Sequence, residues 1–260
     1  MLLLPLVRLR ARQTDRRTDG QTEMCTLEKR GNVFVLAITG PGEHRLNPTL
    51  VGSLRSALCR VREEPNCSAL VTTAEGKFFS NGYDLSWAQN HRDRLELMSS
   101  ELRALVRDLI SLPMPTIAAV TGHASAAGLI LALSHDYVLM RKDRGFLYMS
   151  EVDIGLVLAN WFVTLIRSKI GSPAARREML MKAAKLTAAQ GAAMGIIDSV
   201  HDGPEETIRA AIRLAEELVV REWDGHVYAA NRMVVLREVL DSLGSDEAVE
   251  AAANRASSKL

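Results

Sequence analysis

Two short segments of this 260-residue chain combine small side chains with the start of a helical run. The first is FFSNGYDL, Phe78–Leu85, and the second is GHASAAG, Gly122–Gly128. Each follows a strand-like stretch, Ser68–Ala74 and Thr116–Thr121 respectively. Ligands of open α/β sheets sit outside the carboxyl ends of strands, where these loops fall. Ser125, Ala126 and Ala127 are small enough to let a substrate group reach the backbone. Backbone N–H groups there, backed by a helix N-terminus, can hold a developing oxyanion. Spacing alone leaves a second reading open, that of ordinary tight strand–helix turns. No charged side chain lies between His123 and Asp136, so any acid or base must come from another segment.

The elements that would carry these loops can be read from periodicity. Asn32–Thr39, Ser68–Ala74, Thr116–Thr121, Asp136–Met140 and the region of Phe146–Met149 read as strands. Thr49–Glu64 and Asp93–Leu112 read as helices. Beyond Trp161 helices dominate, at Phe162–Ile170, Ala174–Met181, Ala188–Met194 and Glu205–Val220, with two more near the C-terminus. Strand–helix alternation in the front half predicts an α/β fold with parallel crossovers and helices against a sheet. The stripe Leu95, Met98, Leu102, Leu105 and Leu109 is either core or the wall of an apolar pocket. A soft boundary near residue 200 separates a core, 24–200, from a helical region, 201–257.

Composition narrows the function classes. The formal charge of +1 gives no bulk attraction to nucleic acid or an anionic membrane. Cys25, Cys59 and Cys67 form no CxxC pair, and the six histidines form no HExxH, so a metal site has no support. No apolar run is long enough to span a bilayer. Residues 1–23 pair a short apolar start with several arginines, as a weak organelle presequence or a leader before Met24 would. At the other end, Ser258, Lys259 and Leu260 spell the tripeptide read by the peroxisomal import receptor. The expected location is the peroxisome.

Four segments in order resemble the enoyl-CoA hydratase/isomerase (crotonase) superfamily. FFSNGYDL is similar to its F-x-A/S-x-G-x-D-L loop, and GHASAAGLILALSHD to its G-x-A-x-G-G-G…C-D loop and helix. SEVDIGL is similar to its P-E-x-x-I/L-G segment, and KLTAAQGAAMGIIDSV to its late T-A-x-x-A-x-x-x-G-L-V segment. The likeness spans about residues 26 to 222. It implies a crotonase-like ββα spiral with a helical C-terminal trimerisation region, assembled as a homotrimer or hexamer. It also implies an acyl-CoA thioester substrate, its oxygen held by the backbone N–H groups of Tyr83 and Ala127. The rest of the binding surface would be Ser80, Asn81, Gly82, Asp84 and Leu85 from one loop, with Ser125, Ala126 and Gly128 from the other. The family commonly has glycine where Ala127 stands, but only the N–H is required.

Hydratases of this superfamily use two glutamates, one to activate water and one to manage the proton. The first position corresponds to Ile130, which cannot titrate, and the second is Glu151. One carboxylate facing an oxyanion hole suits moving a double bond, as in the plant-type peroxisomal Δ3,Δ2-enoyl-CoA isomerases. The resemblance thus implies that Glu151 moves a proton from C2 to C4 with no metal or redox cofactor. Asp153 is a rival base, sharing a face with Glu151 if the segment is extended. Asp84 reads as a loop brace, Asp136 as an anchor for the following strand, and His123 as structural. Lys77 and Arg45 either meet CoA phosphates or are simply solvated. The alternatives are a hydratase, lyase or hydrolase on the same scaffold, or a non-catalytic RNA- or protein-binding member. Near-neutral charge and the retained Glu151 argue against the last.

Overall fold

The computed structural model describes residues 24–40, 42–64 and 68–244. Residues 1–23 and the tripeptide Ser258-Lys259-Leu260 lie outside the described residues. The chain opens with β1 (Cys25–Arg30) and β2 (Val33–Ile38), joined antiparallel through a turn at Gly31, whose φ is +58°. That positive φ favours glycine. Helix α1 (Pro48–Arg62) starts where the Asn47 side chain accepts the Leu50 N–H and Pro48 takes the first turn.

Three successive units then repeat one plan. β3 (Ala69–Ala74), β4 (Phe78–Ser80) and helices α2 (Leu85–Ala88) and α3 (Arg92–Ile110) form the first. β5 (Thr116–Val120), β6 (His123–Ser125) and α4 (Ala127–Leu133) form the second, and β7 (Tyr137–Arg141), β8 (Leu147–Tyr148) and α5 (Asn160–Lys169) the third. In each unit the first strand joins a large sheet and the second a small one. After α6 (Pro173–Met181) and α7 (Ala188–Ala193), β9 (Ser199–His201) completes the large sheet in the order β1-β2-β3-β5-β7-β9. The small sheet is β4-β6-β8, parallel throughout. The crotonase-like ββα spiral implied by the sequence is the fold observed.

The switch between sheets demands glycine. A Cβ on Gly122 would lie 2.3 Å from the Lys77 carbonyl oxygen, and one on Gly145 would lie 2.9 Å from the Gly122 carbonyl oxygen. Successive turns of the spiral therefore stack backbone on backbone, which no larger residue permits.

Both faces of the large sheet are covered. Phe34, Leu36, Leu70, Ala118, Val120, Val138 and Met140 point into the main core with α1, α3, α4 and α5. The alternate residues Val33, Val35, Val71, Ile117, Ala119 and Leu139 face Ala210, Ala211 and Ala215 of α8 (Gly203–Val219). The period of two sorts strand side chains to opposite faces, and small alanines at helical spacing let α8 lie close. Helix α9 (Gly225–Val235) is tied down by Arg232, which donates to the carbonyls of Leu109 and Met114 and pairs with Asp136 at 2.9 Å. Helix α10 (Arg237–Ser242) packs on α5.

The sequence reading places most elements but omits four strands. β1 is a mostly exposed edge strand of polar composition, and β4, β6 and β9 have three residues each, too short to show periodicity.

Candidate active site

The three implied reacting positions all lie just past the carboxyl ends of the small sheet. Tyr83 comes three residues after β4, Ala127 two after β6, and Glu151 three after β8. Parallel pairing of β4 with β6 and of β6 with β8 sends all three chains out on one side. Ligand sites of parallel sheets arise there for this reason.

The two small-residue loops are packed together. A Cβ on Gly82 would meet the Ala126 methyl and the Ser125 carbonyl at 3.1 Å and the Ala127 nitrogen at 3.3 Å. Gly128 is tighter still, its absent Cβ lying 2.2 Å from the Ser80 carbonyl oxygen. Among the described residues, no protein acceptor takes the N–H of Tyr83 or of Ala127. For Ala127 this follows from its place as the first residue of α4, where N–H groups have no intrahelical partner. Ala126 adopts φ +49° and ψ −124° to turn the chain into α4, a conformation that strains an L-residue.

The first loop is braced from several sides. Leu46 donates its N–H to the Gly82 carbonyl at 2.7 Å and accepts the Asp84 N–H. The Ser80 hydroxyl donates to the His44 carbonyl and accepts the Gly82 N–H. Asp84 caps α2 by accepting the Trp87 N–H and receives the Asn47 amide, so it braces its loop. Asn81 donates to Glu43 at 2.8 Å and accepts the Tyr148 hydroxyl, tying the loop to β8. Arg45 pairs with Glu43 and reaches the Tyr83 carbonyl at 3.4 Å. Leu85 begins α2 and is exposed, whereas Ser125 is buried in β6.

Glu151 is 9% exposed, and its Oε2 is buried without a hydrogen-bond partner. Burial pushes its carboxyl above the ordinary glutamate value. Residues 151–155 form a turn, closed by Leu156 donating to the Glu151 carbonyl at 2.8 Å. This corrects the extended geometry under which Asp153 would share a face with Glu151; Asp153 is exposed. Ile130 is fully buried inside α4. The same turn exposes Val152, Ile154, Leu156 and Val157, an apolar rim beside the carboxylate.

The remaining candidates are placed as follows. Asp136 accepts the N–H and hydroxyl of Thr116 and so anchors β7 to β5. His123 begins β6, at the end away from Ala127, between the rings of Phe78 and Phe146 at 5.1 and 5.5 Å. Lys77 lies over the Phe78 ring. Leu95 is half-buried, and Met98, Leu102, Leu105 and Leu109 join the core. Sequence reasoning missed Asn47, Glu43 and Phe162, whose partners lie 37 to 79 residues away and leave no local signal. A cleft of about 610 Å³ between α5 and α9 is lined by Lys169, Trp223, Tyr228 and Arg232 and lies apart from Glu151.

Comparison with known proteins bears on this arrangement. The enoyl-CoA hydratase/isomerase family profile matches residues 28–239. The chain is 58% identical over 240 residues to the enoyl-CoA delta isomerase 1, peroxisomal, of Arabidopsis thaliana, covering 91% of this chain and all of that one. It is 49% identical to the enoyl-CoA delta isomerase 2, peroxisomal, of the same plant, covering 87% and 98%. Among solved structures, an enoyl-CoA hydratase/isomerase family protein from Pseudomonas syringae superposes with a TM-score of 0.79 at 23% identity, covering 89% and 97%. A probable enoyl-CoA hydratase from Mycobacterium tuberculosis gives 0.77 at 21%, covering 91% and 95%; both show the fold. With a matching profile over most of its length and the spiral, the paired loops and the buried glutamate in place, the chain belongs to the enoyl-CoA hydratase/isomerase family.

Proposed function

We propose that this protein is a Δ3,Δ2-enoyl-CoA isomerase acting on unsaturated acyl-CoA in fatty-acid β-oxidation. The observation that carries the reading is Glu151, the one buried carboxylate among the described residues, with an apolar residue, Ile130, where the family resemblance puts a hydratase's other acid. The enoyl-CoA delta isomerase names of relatives at 48 to 58% identity support it.

In this reading the thioester oxygen accepts from the N–H groups of Tyr83 and Ala127. Ser80, Asn81, Gly82, Asp84, Leu85, Ser125, Ala126 and Gly128 shape the loops around it. Glu151, charged, removes a proton from C2, which is acidified by both the thioester and the neighbouring alkene. The electron pair spreads over a dienolate whose oxygen gains negative charge, so donors aimed there stabilise the transition state more than the ground state. The neutral Glu151 then delivers the same proton to C4, leaving the double bond conjugated at C2. Proton transfer alone balances the reaction, so no metal or redox cofactor enters it. Val152, Ile154, Leu156 and Val157 offer apolar surface suited to an acyl chain.

The tripeptide Ser258-Lys259-Leu260 supports delivery to the peroxisome by its import receptor, in keeping with the relatives named peroxisomal. A homotrimer or hexamer is the expected assembly. The test is purified protein with a 3-enoyl-CoA, followed by the absorbance of the conjugated thioester. Hydration of a 2-enoyl-CoA faster than isomerisation would overturn the reading.

A further inference from the structure

The first loop is held from the side by a segment outside the proposed machinery. Asn81 donates its N–H to the Glu43 carbonyl at 3.0 Å, Leu46 donates to the Gly82 carbonyl at 2.7 Å, and Asp84 donates to the Leu46 carbonyl at 3.2 Å. The Gly82 carbonyl and the Tyr83 N–H belong to one planar peptide and point in opposite directions. Leu46 therefore fixes the direction in which the Tyr83 N–H faces. Within this segment stands His44, 4% exposed, with a φ of +50° that strains an L-residue. Its carbonyl accepts the Ser80 hydroxyl at 2.7 Å. Its ring spans from the small sheet to the end of β2. Nδ1 lies 2.8 Å from the Phe78 carbonyl oxygen in β4, and Nε2 lies 2.8 Å from the Gly40 carbonyl oxygen, two residues past β2.

Both ring neighbours are carbonyl oxygens, which only accept. A neutral imidazole has one N–H, so in either tautomer a bare nitrogen would face a lone pair at 2.8 Å. A ring with a proton on each nitrogen satisfies both contacts, and two charge-assisted bonds offset the cost of burying it. We propose that His44, protonated on both ring nitrogens, is a positioning residue that holds segment 43–46 and, through Leu46, the Tyr83 N–H. The inference rests on the reading of that N–H as an oxyanion donor. Loss of one ring proton turns an attractive contact into a repulsive one and loosens the segment from Phe78 or from Gly40. The charged and titratable groups on the elements around the ring are Glu43 and Arg45 beside it, Glu75 after β3, Lys77 before β4 and His123 of β6, which packs on Phe78 at 5.1 Å. Glu43 and Arg45 pair with each other, and the ring's own bonds go to the two carbonyls.

The experiment pairs NMR of the ring nitrogens in histidine-labelled wild type with steady-state kinetics of wild type, His44→Gln and Gly128→Ala. The signals missing from His44→Gln identify the His44 ring, which at neutral pH should carry a proton on each nitrogen. Glutamine offers both its donors from one atom, so it cannot span the two carbonyls, and it does not titrate. His44→Gln should lose roughly 10- to 100-fold in kcat, a part of what a whole oxyanion donor contributes, with KM within about twofold. In wild type kcat should fall at alkaline pH as His44 gives up its proton, and that limb should be absent from His44→Gln. A bare nitrogen on the His44 ring at neutral pH overturns the proposal, even where the variant fails to fold. An alkaline limb unchanged in His44→Gln overturns it too, as does wild-type kcat in that variant while Gly128→Ala is crippled. Wild-type kcat in Gly128→Ala sinks instead the oxyanion reading of the loops on which the proposal rests.

Discussion

Gly82 and Ala127 are packed so that a Cβ on the first would stand 3.3 Å from the backbone nitrogen of the second. Two segments 45 positions apart in the chain thus meet backbone to backbone, with the N–H of Tyr83 next in sequence on one side. The spacing of the two proposed donors is set by this contact and by its neighbour, Gly128 on Ser80. Gly128→Ala would force a methyl to within 2.2 Å of the Ser80 carbonyl oxygen, which is backbone and cannot rotate away. The loops must part, and misplacing one donor costs about 2.7–4 kcal/mol of barrier, or roughly 100- to 1,000-fold in kcat. Gly82→Ala, with its φ of +76° and contacts of 3.1 Å, should be milder. Isomerase kinetics alongside circular dichroism would rank the two; equal activity in Gly128→Ala and wild type would contradict the packing argument.

As the proposed base, Glu151 would have to be ionised to take a proton, and burial raises its pKa above the ordinary value of 4.5. Activity is therefore expected to fall as pH drops, with the acid limb of kcat/KM above 4.5. Glu151→Gln should lose at least about 100-fold in kcat, the scale of a general base. Its thermal midpoint should hold or rise, since a desolvated charge is removed. Asp153→Asn, on the exposed side of the turn, should stay within about twofold of wild type.

Ile130 tests the count of acids from the other direction. Ile130→Glu puts a carboxyl at the position hydratases use, but in a helix whose residues are all buried. Without a partner the new group stays neutral or disrupts α4, costing several kcal/mol. Chemical denaturation should show that loss, and hydration of a 2-enoyl-CoA should not appear.

Stability should also depend on His135, which is buried between α4 and the large sheet. Its Nδ1–H donates to the Leu131 carbonyl at 3.0 Å, and Nε2 accepts from the Thr72 hydroxyl at 2.8 Å. Burial lowers its pKa from 6.5 to about 4. Between those values the unfolded chain binds the proton and the folded one does not. Stability therefore rises from pH 4 to 6.5 and falls on acidification through that window, by about 3 kcal/mol in total. His135→Gln should flatten this part of the pH dependence in urea titrations.

Much of the scaffold was legible along the chain because its causes are local. The apolar runs of Val33–Ile38 and Thr116–Val120 and the helical spacing in α3 and α8 announce themselves within a single window. The three-residue strands β4 and β6 did not, since three residues show no period; pairing with each other defines them. Asp153 rivals Glu151 only on an extended backbone, and the turn at 151–155 removes that premise.

By itself the sequence determined the chemistry on offer: two loops small enough to expose their backbone, one glutamate in a recurring motif, and an isoleucine in place of a second acid. Identity and order along the chain are enough for that. Only the tertiary structure decided that Tyr83, Ala127 and Glu151 leave the small sheet on one side and that the Glu151 carboxyl is buried. Those properties come from parallel pairing between β4, β6 and β8 and from packing around the loops that follow these strands. Contacts between residues distant in the chain create them, and no local pattern encodes such contacts.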